Sequence, residues 1–298
     1  MTVETIKGYL KARHRTIKAH VSRQKKHLEF HFRRSTASLR MLPDFLVIGA
    51  QKCGTTSLYA YLTQHPSVSP AFEKEVRYFN DHYENGENWY KAHFPTNYYK
   101  YLMTRRDGAR FVTGEGEPSY LPNPIVPQRA FELMPSVKLI VMLRNPVDRA
   151  YSHYQHRFSR GRETRTFEEV VETDKEILKD GFDGLPTGDY RRLGHLHYSY
   201  LPRGFYADQI ETWMEVFPKE QFLIIRAEDF FSDTQSIFDE VLAFLGLPKH
   251  RLERNERHNV GKYDRSMSAT TRQDLADYFY QHNQRLSEYL GRDFGWDT

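Results

Sequence analysis

Three short stretches of the chain are almost wholly apolar: Phe45 to Gly49 (FLVIG), Lys138 to Leu143 (KLIVML) and Phe222 to Arg226 (FLIIR). A strand with one wet face alternates apolar and polar residues, so a continuous run of this length fits a strand covered on both faces, as in a parallel sheet. Between the runs, helices are expected. One spans Thr56 to Gln64 and ends at His65-Pro66, because a residue before proline is pushed out of the helical region. A second runs from about Val147 to Ser159, behind the break at Arg144-Asn145-Pro146, and a third covers about 269–290. Thr166-Phe-Glu-Glu169 and Ser232-Asp-Thr-Gln235 have capping-box spacing and should open two more. The segment 180–204 is polar, contains glycine and reads as a loop. Buried strands alternating with helices predict an α/β fold, a parallel β-sheet flanked by helices on both faces.

The first 40 residues follow a different pattern. Ile6, Leu10, Ile17, Val21, Leu28 and Phe32 recur at intervals of 4, 7, 4, 7 and 4, which stripes one side of a helix. Lys and Arg number 11 in this stretch against two acidic residues, a net of +9, although the whole chain carries only +4. The remainder is therefore acidic, at −5. A division into a basic amphipathic helical extension, 1–40, and one catalytic domain, 41–298, is expected, and 298 residues are ample for it. The extension suits an anionic membrane surface, its own domain or a twin subunit. Nucleic acid is not expected as a partner, because the acidic body offers no continuing basic face.

Composition narrows the class further. With 20 Tyr, 20 Phe and 3 Trp the chain is no disordered polymer, and its single cysteine, Cys53, allows neither an internal disulfide nor a cysteine-based zinc cluster. One cysteine, no apolar stretch near the roughly 18 residues of a membrane span and no signal-peptide core together point to a cytoplasmic protein, peripheral to a membrane at most.

The chemistry centres on FLVIGAQKCGTTSL, residues 45 to 58. A buried strand, a glycine loop and a helix in this order make a P-loop-type anion cradle of backbone N–H groups at a helix N-terminus. The nucleoside-triphosphate version, G-x-x-x-x-G-K-[ST], places a lysine directly after the second glycine. Here Gly49 and Gly54 keep that spacing, but Lys52 precedes the second glycine and Thr55 occupies the lysine slot. A small-molecule P-loop kinase is therefore the weaker enzymatic reading, and a nucleotide-holding scaffold the non-enzymatic one. A transferring sulfuryl group carries less negative charge than a phosphoryl group, so one lysine and a ring of N–H donors could serve it without a metal.

QKCGTTSL after an apolar strand, VMLRNPVDRAYSHYQH at 141–156 and GFYADQIETWMEVFP at 204–218 together resemble the sulfotransferases that use 3′-phosphoadenosine 5′-phosphosulfate (PAPS), above all the heparan-sulfate-type, carbohydrate branch. The likeness spans roughly residues 43–298. It implies that Lys52 stabilises charge on the bridging oxygen of the leaving phosphate, and that Lys52, Cys53, Gly54, Thr55, Thr56 and Ser57 hold the 5′-phosphate. It further places Arg144 and Ser152 on the 3′-phosphate, with Asp148 and Arg149 as helix-start charges. FEKEVRYF at 72–79 resembles a K-E-P-x-F-F stretch whose glutamate is the base. That maps onto Glu75, beside Lys74, with Val76 in place of the proline. His156 matches a histidine near the acceptor, with His153 as the nearby decoy. GEGEPSY at 114–120 is similar to an acidic segment of the acceptor cleft, so Glu115 or Glu117 would orient hydroxyls or cationic loop residues. Lys262, in HNVGKYDRS, stands where relatives close a loop over the nucleotide, although the cysteine pair that braces it in animal enzymes is absent. Tyr206 either stacks near the adenine or fills the core. The expected products are PAP and a sulfated hydroxyl or amine of a saccharide or glycoconjugate. Lipid and small-metabolite acceptors stay open, and the aromatics around 78–101 either stack on sugar rings or pack a core.

Overall fold

The computed structural model describes residues 3–179, 200–253 and 267–296. Five strands, β1 (Phe45–Gly49), β2 (Val68–Pro70), β3 (Val112–Gly116), β4 (Lys138–Leu143) and β5 (Phe222–Arg226), form one parallel sheet in the order β2-β3-β1-β4-β5. The three apolar runs are β1, β4 and β5, with the expected bounds. The remaining two strands carry weak signals. β3 reads VTGEG, and its burial comes from close backbone approach instead of apolar side chains: a Cβ on Gly114 would lie 2.5 Å from the Phe45 carbonyl oxygen and 2.6 Å from its ring. Only glycine lets β3 pack so tightly against β1.

In chain order the helices are α1 (Val3–Ser35), α2 (Thr55–Leu62), α3 (Tyr78–Asp81), α4 (Glu87–Lys91), α5 (Asn97–Asp107), α6 (Val126–Leu133), α7 (Pro146–Phe158), α8 (Phe167–Lys179), α9 (Tyr206–Met214), α10 (Ala227–Ser232), α11 (Thr234–Leu245) and α12 (Ala269–Leu290). Asn145 caps α7 by accepting from the Val147 amide at 2.9 Å, and Pro146 fills the first turn, where a missing N–H costs nothing. The capping box at Thr166 is reciprocal: its amide donates to Glu169 Oε2 at 2.7 Å and its Oγ1 accepts from the Glu169 amide at 3.2 Å. The second box shifts by one residue. Asp233 caps α11, accepting from the Ser236 amide at 3.0 Å, while the Ser232 hydroxyl donates back to the Asp229 carbonyl and closes α10. A carboxylate outcompeted the neighbouring hydroxyl for the cap.

The core wraps the sheet, and a satellite cluster joins α7, α8 and α12 through Val147, Tyr154, Phe167, Val170, Leu275 and Phe279. Most of residues 180–204, the expected loop, lie outside the described residues; Pro202–Gly204 form a 3₁₀ turn. The aromatics between 78 and 101 are mainly core: Tyr78 and Tyr90 stack with ring centroids 4.4 Å apart, and Phe79 and Phe94 are buried with them, whereas Tyr98, Tyr99 and Tyr101 are exposed.

The end of α1 docks on this body through a face opposite the anticipated stripe. Phe30 packs against Phe72, Trp89 and His93. Lys26 pairs with Glu73 at 2.7 Å, and Arg33 donates to the carbonyls of Ala92 (2.7 Å) and Phe94 (3.0 Å). Val21, Leu28 and Phe32 of the stripe stay 59, 69 and 66 % exposed. No described helix is long and apolar enough to cross a membrane.

Candidate active site

β1 lies between β3 and β4, so the chain leaves it in opposite directions on its two sides and opens a crevice beyond its carboxyl end. The loop from Ala50 to Gly54 occupies that crevice. Gly54 ends it at φ +95°, a left-handed conformation where a Cβ would meet the Phe231 ring at 3.0 Å. No side chain caps the first turn of α2, which leaves its dipole end and amide donors directed at the crevice, the arrangement that binds an anion. Thr55 and Ser57 are buried in that turn, and Thr56 Oγ1 accepts from Lys74 Nζ at 2.8 Å.

Lys52 is the odd residue of the loop in backbone as well as in sequence. Its φ of 72° is rare for a residue with a Cβ and persists only where the surroundings impose it. Its ammonium lies 3.3 Å from His156 Nδ1 on α7, and its carbonyl oxygen accepts from Arg144 Nη1 at 3.5 Å. Burial, then the charges of Arg160 and Arg144, push the Lys52 pKa down to about 8. Burial followed by the Lys52 charge pushes His156 down to about 4. The imidazole is thus neutral at physiological pH and accepts from the cationic lysine, which turns the ammonium along one direction.

Arg144 follows β4 at the same sheet edge, its guanidinium 5.9 Å from the centre of the Phe231 ring. Ser152 sits buried two turns along α7. Tyr206 is core: its hydroxyl donates to the Arg144 carbonyl at 2.8 Å and lies 3.9 Å from Cys53 Sγ. Cys53 faces inward. Burial raises its thiol to about 11, and its amide donates to the Ala50 carbonyl at 3.3 Å.

A second loop brings carboxylates to the crevice. Glu75 (φ 58°) and Arg77 (φ 56°) are both left-handed. Glu75 pairs with Lys74 at 3.5 Å and with Arg77 at 3.8 Å, and Arg77 reaches Glu117 Oε2 at 3.5 Å. Lys74 therefore bridges Glu75 and the first turn of α2. Glu117 is buried and accepts from the Ser119 amide at 3.0 Å, so it orients a cationic loop residue, Arg77. Glu115 lies deeper, out of reach of any acceptor, and accepts from Tyr90 Oη (2.6 Å) and Tyr120 Oη (3.1 Å). Burial raises its pKa to about 8, with the Tyr90 bond pulling back and the Glu117 charge pushing further. The folded state then holds a proton that the unfolded chain releases above its ordinary value of 4.5, so this contribution to stability is full below that value and is lost as pH rises towards 8. Glu115→Gln keeps an acceptor for both tyrosines and removes the titration. Its urea midpoint, measured against wild type at several pH values, should gain steadily from pH 5 to 8; a constant difference would show a carboxyl that is not held protonated.

Two buried arginines that the sequence reading did not assign to the site frame it. Arg149, expected as a helix-start charge, is fully buried; it donates to the Tyr200 carbonyl, and its Nε and Nη1 have no hydrogen-bond partner among the described residues. Helical geometry explains the correction, because Arg149, His153 and His156 share one inward face at i, i+4 and i+7. His153 stops in the interior, 4.8 Å from the Tyr200 ring, while His156 goes on to Lys52. Arg203 is also buried, donates to Gln51 Oε1 at 3.4 Å, and is lowered to about 10 by burial and then by Arg149. Asp148 faces away and pairs with Arg272 at 2.6 Å. Lys262 lies outside the described residues.

A glycine loop without the triphosphate lysine, on a five-stranded parallel sheet, with a lysine–histidine contact and an adjoining glutamate loop, forms an anion cradle that lacks the lysine of the P-loop kinases. The match to known proteins makes it specific: the chain belongs to the sulfotransferase family, whose domain matches residues 42–293. It is 30% identical to the membrane-associated sulfotransferase kil1 of Dictyostelium discoideum over 87% of this chain and 68% of that protein. It is 33% identical to the bifunctional heparan sulfate N-deacetylase/N-sulfotransferase 4 of Mus musculus over 84% of this chain, though it spans only 30% of that longer protein. A solved sulfotransferase from Alicyclobacillus acidocaldarius superposes with a TM-score of 0.63 at 29% identity, covering 87% of this chain and all of that one. The protein is a sulfuryl transferase.

Proposed function

We propose that the donor is PAPS, and that the sulfuryl group passes in line to a hydroxyl or amine of a saccharide or glycoconjugate. The observation that carries the reading is Lys52: a left-handed backbone and a neutral histidine 3.3 Å away hold its ammonium ahead of α2, beside an uncapped helix N-terminus. In this reading Gly54, Thr55, Thr56 and Ser57 hold the 5′-phosphate, Arg144 and Ser152 recognise the 3′-phosphate, and Lys52 neutralises charge as the bridging bond breaks. Glu75 takes the acceptor's proton. The saccharide acceptor is favoured by the N-sulfotransferase relatives; the aromatic segment adds little, being mostly core. Calorimetry tests the donor: PAP should bind at least tenfold tighter than AMP, and Arg144→Ala should abolish the difference. Equal affinity for the two nucleotides overturns the assignment. A panel of polysaccharides, glycolipids and small alcohols, assayed with labelled donor, then identifies the acceptor.

A further inference from the structure

The end of α1 is fixed to the body by one face and leaves another bare. Every described side chain from Val21 to Glu29 is exposed, including Val21 and Leu28; Phe32, one turn further, is exposed as well, and so is Leu39 just beyond the helix. Lys18 lies three residues before Val21 and Lys25 four after it, so exposed lysines border the apolar stripe on the helix surface.

We propose that this outer face of α1 seats on an anionic lipid surface, with Val21, Leu28 and Phe32 entering the headgroup boundary. Charge favours this occupant over a second copy. Residues 1–40 carry +9 and the remainder −5, so a negative surface attracts the helix and turns the acidic body away, whereas two copies of the helix would repel each other. The stripe is also too sparse for a helical seam. Its intervals of seven residues, as between Val21 and Leu28, skip the position that a coiled coil fills on every second turn. The docked face gives the surface a place relative to the chemistry. Lys26 pairs with Glu73, and Phe30 and Arg33 pack on Phe72, two and three residues before Glu75. A bilayer on the outer face of α1 lies one helix width, about 10 Å, from the loop that carries this carboxylate.

Co-sedimentation of the full chain with phosphatidylserine-containing vesicles, and with pure phosphatidylcholine vesicles as the comparison, tests the proposal. Binding should require phosphatidylserine and weaken as ionic strength rises. The combined variant Val21→Glu, Leu28→Glu, Phe32→Glu should bind those vesicles roughly tenfold less or worse. All three side chains are exposed, so its unfolding midpoint and circular dichroism should match wild type and exclude misfolding as the cause. A wild-type chain that stays in the supernatant overturns the proposal. So does sedimentation velocity showing a dimer that the same variant splits, since the face would then belong to a second copy.

Discussion

Lys52→Ala is expected to lower turnover roughly 10²–10³-fold, the usual effect of deleting one donor aimed at a developing negative charge, while weakening PAP binding far less. The split follows from position. In the proposed reading, ground-state phosphate is held by the first turn of α2 and by Arg144, whereas Lys52 stands ahead of the helix, where charge appears only as the bridging oxygen departs. The same residue dictates the pH profile. With its pKa at about 8 in the free enzyme, Lys52 is cationic below that pH and loses its proton above it, so kcat/KM should fall about tenfold per unit on the alkaline side. A bound phosphate favours the cation and raises the pKa, so the corresponding limb in kcat should lie at higher pH. His156, held at about 4, adds no limb between pH 5 and 8. A Lys52→Ala enzyme within fivefold of wild type would remove the residue from the chemistry.

The parts of the structure legible in the sequence are those that local pattern determines. β1 and β4 are buried on both faces and need unbroken apolar runs; β5 keeps such a run although it is the edge strand and only Ile225 of it is fully buried, and α7 and α12 carry their own caps. β3 was hidden because its burial depends on Gly114 lying against Phe45, a contact some 70 residues away in sequence. At the site, Lys52 and Glu75 stood out through their motifs. Arg144 did so as well, but Arg149 and Arg203 did not, because a buried arginine has the same local sequence as an exposed one. Only the three-dimensional fold shows that Arg149 points inward to Tyr200 and that Arg203 reaches Gln51. The stripe on α1 was visible as a pattern, but spacing alone could not say whether it faced the body; Phe30, off the stripe, makes the contact.

Glu75→Gln should all but abolish sulfuryl transfer, by roughly 10²–10⁴-fold, the range spanned by positioned general bases, with PAP affinity unchanged. The side chain keeps its size but loses its charge, and with it the ability to take a proton; its ion pairs with Lys74 and Arg77 are part-exposed and weak. Its backbone is left-handed at φ 58°, as is that of Arg77 at 56°, a costly conformation maintained where neighbouring structure requires it. Lys74 explains part of the requirement, since it joins Glu75 to Thr56 on the first turn of α2 and so sets the carboxylate beside the proposed donor end of the crevice. The rival is Glu117, which Arg77 links to Glu75. Glu117 is buried, and burial raises its pKa; its contacts hold Arg77 and Ser119 instead of facing open space. Glu117→Gln should therefore raise KM for the acceptor through a displaced Arg77 loop while retaining much of kcat. The opposite pattern, turnover surviving in Glu75→Gln and lost in Glu117→Gln, would assign the base to Glu117 and leave Glu75 as its electrostatic partner.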